Sequence, residues 1–287
     1  MTRPPRTLVL PPRLTASART LRATALRRGL RVVEAAALAV PDGVAAPGEG
    51  EGTSDGTEAT PGGTKTTPDG TEATPGRGEA AVHLHAGPSF ADVVAPALGI
   101  ALLEAPADWL ARLPRALTRR DVRAMPIGDA YGLRRPAFVK SPNDKDIPAL
   151  VYADGSRLPG PDAVDPATVV LVSDVMTFAA EYRLHLLDGA VHTTGQYAEA
   201  GRLRLGPAHG DALAFGRDVL AAAADSLPSA VVVDVGRDDE GRWAVVEANA
   251  AWASGCYAAD PDRALDTVLR AAGPRTELSP HDREFLR

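Results

Sequence analysis

Residues Ala230–Asn249 read AVVVDVGRDDEGRWAVVEAN. Two apolar runs rich in β-branched residues flank the polar cluster Arg237–Gly241, a pattern that predicts an antiparallel hairpin. With Asp234 set opposite Val245, strand alternation puts Val232, Asp234, Val245, Glu247 and Asn249 on one face. Asp234 and Glu247 are then diagonal neighbours, with backbones roughly 7–8 Å apart. Carboxylates in strands this apolar are costly unless a cation compensates them. Two acids and the Asn249 amide oxygen form an oxygen-only donor set of the kind that suits Mg²⁺. Taken alone, the same pattern also describes an edge hairpin with a solvated acidic face.

A second hairpin lies upstream. Glu181–Leu187 and Ala190–Tyr197 flank Asp188-Gly189, a strong two-residue turn signal. Pairing across it sets Glu181 opposite Gln196, Arg183 opposite Thr194 and His185 opposite His192. That face is polar, while Tyr182, Leu184, Leu186, Val191 and Tyr197 form the other. The sheet therefore has a core side and a working side. Lys140 ends the strand-like run PAFV ahead of the loop SPNDKD, where an ammonium is placed to meet phosphate.

The flanking chain is α/β. Thr7–Leu10 and Arg31–Ala37 read as strands around a helix over Arg13–Arg28 that Gly29 closes. Ala81–His85 reads as a strand and Ser89–Leu98 as a helix capped by Ser89. Between them, 41–80 is rich in Gly, Pro and Thr and nearly repeats itself, TSDGTEATPG from Thr53 and TPDGTEATPG from Thr67. Its composition predicts a disordered low-complexity insertion. Further on, Ala107–Leu117 reads as helix and Ala137–Lys140, Ala149–Tyr152 and Thr168–Val172 as short strands, with a helix over Asp211–Ala224. The expected division is an N-terminal α/β domain, 1–105, and an α+β domain with antiparallel sheets, 106–287.

Composition excludes several function classes. The net charge of −6 resides in 41–80, which holds eight acidic and two basic residues, leaving the remainder balanced at 29 of each. No basic surplus points to nucleic acid. No apolar run approaches the roughly 20 residues that span a bilayer. Cys256 is the sole cysteine, which rules out an internal disulfide and fits the cytoplasm. The sequence is compatible with a homo-oligomer without dictating one.

Taken in chain order, FVK ending at Lys140, LVSDV over Leu171–Val175, EYR from Glu181 and the closing Asp234 with Glu247-Ala248-Asn249 resemble the ATP-grasp superfamily. PAFVKSPNDKD, EYRLHLLDGAV and GRWAVVEANAAWASGCY are more closely similar to a small bacterial clade named for two arginines and one lysine. The likeness runs from about Leu103 to Asp260, and the N-terminal unit resembles the Rossmann-like domain that precedes ATP-grasp domains. It implies that Lys140 holds the α- and β-phosphates and that Arg120 is a second phosphate contact, a place Arg119 or Arg123 could equally fill. Asp174 and the backbone at Val175 take the adenine hinge and Glu181 the ribose hydroxyls. Arg183 faces the γ-phosphate, and Asp234, Glu247 and Asn249 bind Mg²⁺. Lys145, Ser254 and Gly255 take the places of a substrate-carboxylate site.

The activity so implied is ATP- and Mg²⁺-dependent ligation of a carboxylate to an amine through an acyl phosphate, with small-molecule, amino-acid or peptide acids as partners. A second reading is a non-catalytic ATP-binding or adaptor protein, motivated by the short Ser141–Ile147 segment that stands for a glycine-rich phosphate loop.

Overall fold

The computed structural model describes residues 6–34, 81–143 and 147–287. The expected insertion over 41–80 lies outside them, as does Lys145. The chain opens on β1 (Arg6–Leu10), α1 (Ala16–Arg27) and β2 (Arg31–Glu34). Thr15 caps α1 by accepting from the Ala18 amide at 3.1 Å, and Gly29 closes it at φ 76°, backbone that suits a residue without Cβ. β3 (Ala81–Leu84) runs parallel beside β1, giving a three-stranded sheet of order β2-β1-β3. The next helix, α2 (Pro88–Ala97), is not capped by Ser89 as expected: Gly87 is the cap residue and no side chain serves it. Pro88 opens the first turn with its φ already helical and no amide to satisfy.

After β4 (Ile100–Leu102) the helix expected over Ala107–Leu117 is two separate turns, α3 (Trp109–Arg112) and α4 (Arg115–Thr118). Pro114 is the cause. It disfavours helical backbone in the residue before it, and Leu113 accordingly sits at ψ 144°. A four-stranded antiparallel sheet follows, built from β5 (Val122–Pro126), β6 (Ala137–Lys140), β7 (Leu150–Tyr152) and β8 (Val169–Ser173) in the order β5-β8-β6-β7. One face buries Val139, Val170 and Val172 against Ile127 and Ala130 of α5 (Ile127–Ala130).

The second sheet holds β9 (Ala180–Leu187), β10 (Ala190–Glu199), β11 (Arg202–Gly206), β12 (Ala230–Arg237) and β13 (Trp243–Asn249) in the antiparallel order β11-β10-β9-β12-β13. Asp188 and Gly189 both have positive φ, 48° and 75°, the backbone a two-residue type I′ turn requires. Leu184, Val233, Val235 and Val245 on one face pack with Trp109 and with Phe215 and Val219 of α6 (Gly210–Ala223). The other face is met by α7 (Pro261–Ala271), and β14 (Ala272–Pro274) returns to pair with β4.

α7 also joins the N-terminal unit. Leu265 and Val268 bury with Leu8, Leu10 and Leu21. Arg27–Asp262 at 2.6 Å and Arg28–Asp266 at 2.7 Å form a partly exposed rim along that seam. Among the described residues no helix is long and apolar enough to cross a membrane.

Candidate functional site

Three bulges decide which side chains reach the working face. In the β12/β13 pair Asp234 lies directly opposite Glu247 and Asn249 opposite Val232, but Val235 pairs with Val245, so Val246 is an extra residue. Val245 therefore joins the core instead of sharing a face with Glu247, and the two acids are directly opposed instead of diagonal. β10 contributes the other two. Arg183 pairs with Gly195, Glu181 with Ala198 and His185 with Thr193, leaving His192 and Tyr197 as extra residues. Each bulge turns the following residues over. Thus Gln196, Thr194 and His192 are not the partners expected from the turn, and Tyr197 leaves the core side for the working side.

The acids meet cations from both sheets. Asn249 Nδ2 donates to Glu247 Oε1 at 2.8 Å and to Asp234 Oδ2 at 3.2 Å, spanning the pair. Lys140, at the end of β6, donates to Glu247 Oε2. Arg183 makes a two-pronged contact with Asp234, from Nε at 2.8 Å and from Nη2 at 2.7 Å. Burial pulls the Arg183 guanidinium down, but Asp234 outweighs it and holds the group above the ordinary arginine value. Burial works to raise Glu247 as well, and there Lys140 and Asn249 win, keeping its carboxyl below the usual range.

The remaining assigned residues surround this cluster. Glu181 accepts from Tyr197 Oη at 2.6 Å; burial pushes its carboxyl up, and nearby Asp234 and Glu247 add to the effect. The Asp174 carboxylate accepts from the Asp121 amide at 3.1 Å and its own amide returns a bond to Asp121 at 3.2 Å, fixing the exit of β8; Val175 is half exposed. Arg120 is buried and donates to the carbonyls of Thr118, Val245 and Val246 at 2.8–3.0 Å. Burial lowers it to about 10, against the pull of Glu247 and Asp174. Of the expected substrate set, the Gly255 carbonyl accepts from Arg183 Nη1 at 3.3 Å, and the Ser254 hydroxyl turns back to the Ala250 carbonyl at 2.8 Å.

Sequence reasoning left out three aromatic residues here. Tyr197 and Tyr257 stack with centroids 5.3 Å apart, and the Arg183 guanidinium carbon lies 5.5 and 4.9 Å from the two rings. Phe178 covers Gly236 and lies 5.9 Å from the Arg120 guanidinium carbon. Tyr197 reaches this face only because β10 runs to ten residues against eight in β9, its two surplus residues taken up as bulges, and no local sequence signal marks them.

The donor set can be matched to Mg²⁺. Among the described residues no cluster of three or more His, Cys, Asp or Glu could hold a metal; the third donor here is an amide. Glu247 and Asn249 fit a hard cation, the amide by presenting its oxygen in place of its nitrogen. Asp234 fits less well, because both its oxygens are engaged by Arg183.

Residues 117–267, just over half of the chain, match the model of an ATP-grasp domain, the second family of the clade named for two arginines and one lysine. No curated protein matches the sequence. Among solved structures, the RimK domain protein ATP-grasp from Sphaerobacter thermophilus is 15% identical with a TM-score of 0.47, over 92% of this chain and 99% of that one. D-cycloserine synthetase DcsG is 14% identical at TM-score 0.48, covering 91% and 98%. An L-amino acid ligase from Bacillus licheniformis is 15% identical at 0.43, covering 87% and 68%. With Lys140, Arg183, Asp234, Glu247 and Asn249 all inside the matched segment, the chain belongs to the ATP-grasp family, in its two-arginine, one-lysine clade.

Proposed function

We propose that the protein is an ATP- and Mg²⁺-dependent ligase that joins a carboxylate to an amine through an acyl phosphate, releasing ADP. One observation carries this reading: Lys140 from the four-stranded sheet and Arg183 from the five-stranded sheet converge on two opposed acids spanned by Asn249. Phosphoryl transfer needs positioning and charge neutralisation more than a protein nucleophile, and this cluster is built of those elements. Lys140 and Arg120 are assigned to the α- and β-phosphates, Arg183 to the terminal phosphate, and Asp174, Val175 and Glu181 to the nucleoside. Mg²⁺, when bound, offsets charge on the transferring group. Glu247 and Asn249 would hold it, with Asp234 completing the acidic set. Ser254 and Gly255, with Lys145, are assigned to the acid substrate.

On this reading 1–105 is a Rossmann-like unit preceding the ATP-grasp domain, 106–287, and the three-stranded parallel sheet supports it. The acid is a small molecule, amino acid or peptide, and the cytoplasm is the compartment a lone buried cysteine suits.

The test is product analysis with ATP, Mg²⁺ and panels of acids and amines. ADP and phosphate released in step with a condensed product support the reading. AMP as the product, or nucleotide bound without turnover across the panels, overturns it.

A further inference from the structure

A cavity of about 450 Å³ lies between the start of β1, the middle of β3, the last turn of α7 and the segment after β14. It shares no residue with the Lys140 and Arg183 cluster, and its volume suits a small metabolite. Several of its charged walls are committed to one another or to the protein. Arg28 and Asp266 pair at 2.7 Å, and Asp282 accepts from Ser229 and Ser279.

Three groups differ. Glu277 is exposed and, among the described residues, its carboxylate makes no hydrogen bond or ion pair. Arg270 is held loosely, with both prongs 3.3 Å from Asp188 and half of its side chain exposed. His83 is the third. Its Nδ1 lies 2.8 Å from the Leu269 carbonyl and 3.1 Å from the Ala272 carbonyl. Carbonyls only accept, so Nδ1 carries the proton and Nε2 a lone pair. Nε2 is buried and has no partner among the described residues. Burial, helped by Arg6, holds the ring below its ordinary value and keeps it neutral. The cavity thus presents two acceptors and a loosely held cation. A phosphate would meet Arg270 but also the Glu277 charge, and a polyamine would meet Glu277 but also the arginines. A zwitterion satisfies both signs.

We infer that this cavity is a second ligand site, for a free α-amino acid whose ammonium donates to Glu277 and His83 Nε2 and whose carboxylate draws Arg270 from Asp188. The site stands independently of the ATP-dependent reading. Leu187 in its wall is four residues along β9 from Arg183, about 13 Å by strand rise.

Thermal shifts of the full chain with each common amino acid at about 10 mM, without nucleotide, find the ligand; equilibrium dialysis then measures it. At least one amino acid should bind, one per chain, with a Kd of about 0.1–1 mM. Glu277→Gln and Arg270→Met should each weaken binding at least about tenfold, since each removes a charged partner. Both positions are exposed, so both variants should melt with wild type in the absence of ligand. The N-acetyl and methyl-ester forms of the same amino acid, each lacking one charge, should also bind at least about tenfold more weakly. No binding by any amino acid overturns the assignment. So does equal binding of the capped forms or of phosphate, and so does binding undiminished in both variants, which would place the amino acid elsewhere on the protein.

Discussion

The Arg120 guanidinium donates at 3.0 Å to the carbonyl of Val246, the residue of β13 with no partner in β12. It also reaches the Val245 carbonyl at 2.8 Å. An arginine from the segment leading into β5 thus clasps the bulge in a strand of the other sheet, and that bulge brings Glu247 opposite Asp234. The residue expected to meet phosphate also secures the geometry of the acids.

Replacing Arg120 therefore has a cost in the absence of any ligand. Arg120→Met should destabilise the protein by about 2–3 kcal/mol, because the carbonyls of Thr118, Val245 and Val246 all lose a charged donor. Arg120→Lys should recover little, since one ammonium does not reproduce the spread of a planar fork. Urea midpoints of the ligand-free variants measure this. Unchanged stability would reduce Arg120 to a ligand contact.

A second prediction concerns the floor of the working face. A Cβ on Gly236 would lie 2.3 Å from Cδ1 of Phe178. Gly236→Ala should cost about 1–3 kcal/mol through overpacking. Adding Phe178→Ala should restore part of that loss, so the double variant is more stable than the sum of the two single changes implies. Thermal melts of the four proteins decide it; simple additivity would mean that the ring moves aside freely.

Acid should unfold the protein through its histidines. Burial holds His85 down to about 4 and His185 down to about 3, the latter helped by Arg183. Among the described residues, both ring nitrogens of His185 are buried and have no hydrogen-bond partner. The unfolded chain takes up protons near 6.5 where the folded chain does not, so their stabilising contribution is complete above that pH. It is lost as pH falls from 6.5 toward 4, at a slope of up to about 2.7 kcal/mol per pH unit for the two groups together. His185→Leu should remove roughly half of that slope. Urea titrations at several pH values in this window test it, and an unchanged slope would acquit His185.

Much of this architecture was legible because its signals are local. Asp188-Gly189 announced its turn, Gly29 closed α1, and the alternation in VVVDV and AVVEAN identified strands with a polar side. Lys140, Arg183, Asp234, Glu247 and Asn249 were named from motif order and do converge. Register was the harder problem. Each bulge is one extra residue with no composition of its own, and Val246, His192 and Tyr197 are ordinary strand residues. Their conformations answer to distant partners. Arg120 clasps carbonyls more than a hundred positions away, and the backbone of Ala258 and Ala259 lies so close over Gly195 that a Cβ there would come within 2.5 Å. Spacing along the chain contains none of this. The short strands β4, β5, β11 and β14 were missed for a related reason, since three to five residues hold too little periodicity to declare a strand.

The seam between α1 and α7 has a further consequence. Its outer rim consists of partly exposed ion pairs, and its floor is an apolar layer. Added sodium chloride screens the rim and leaves the floor nearly untouched, whereas sulfate strengthens the floor while it screens the rim. The choice of anion at equal ionic strength can therefore loosen or tighten the attachment of the N-terminal unit without a single substitution.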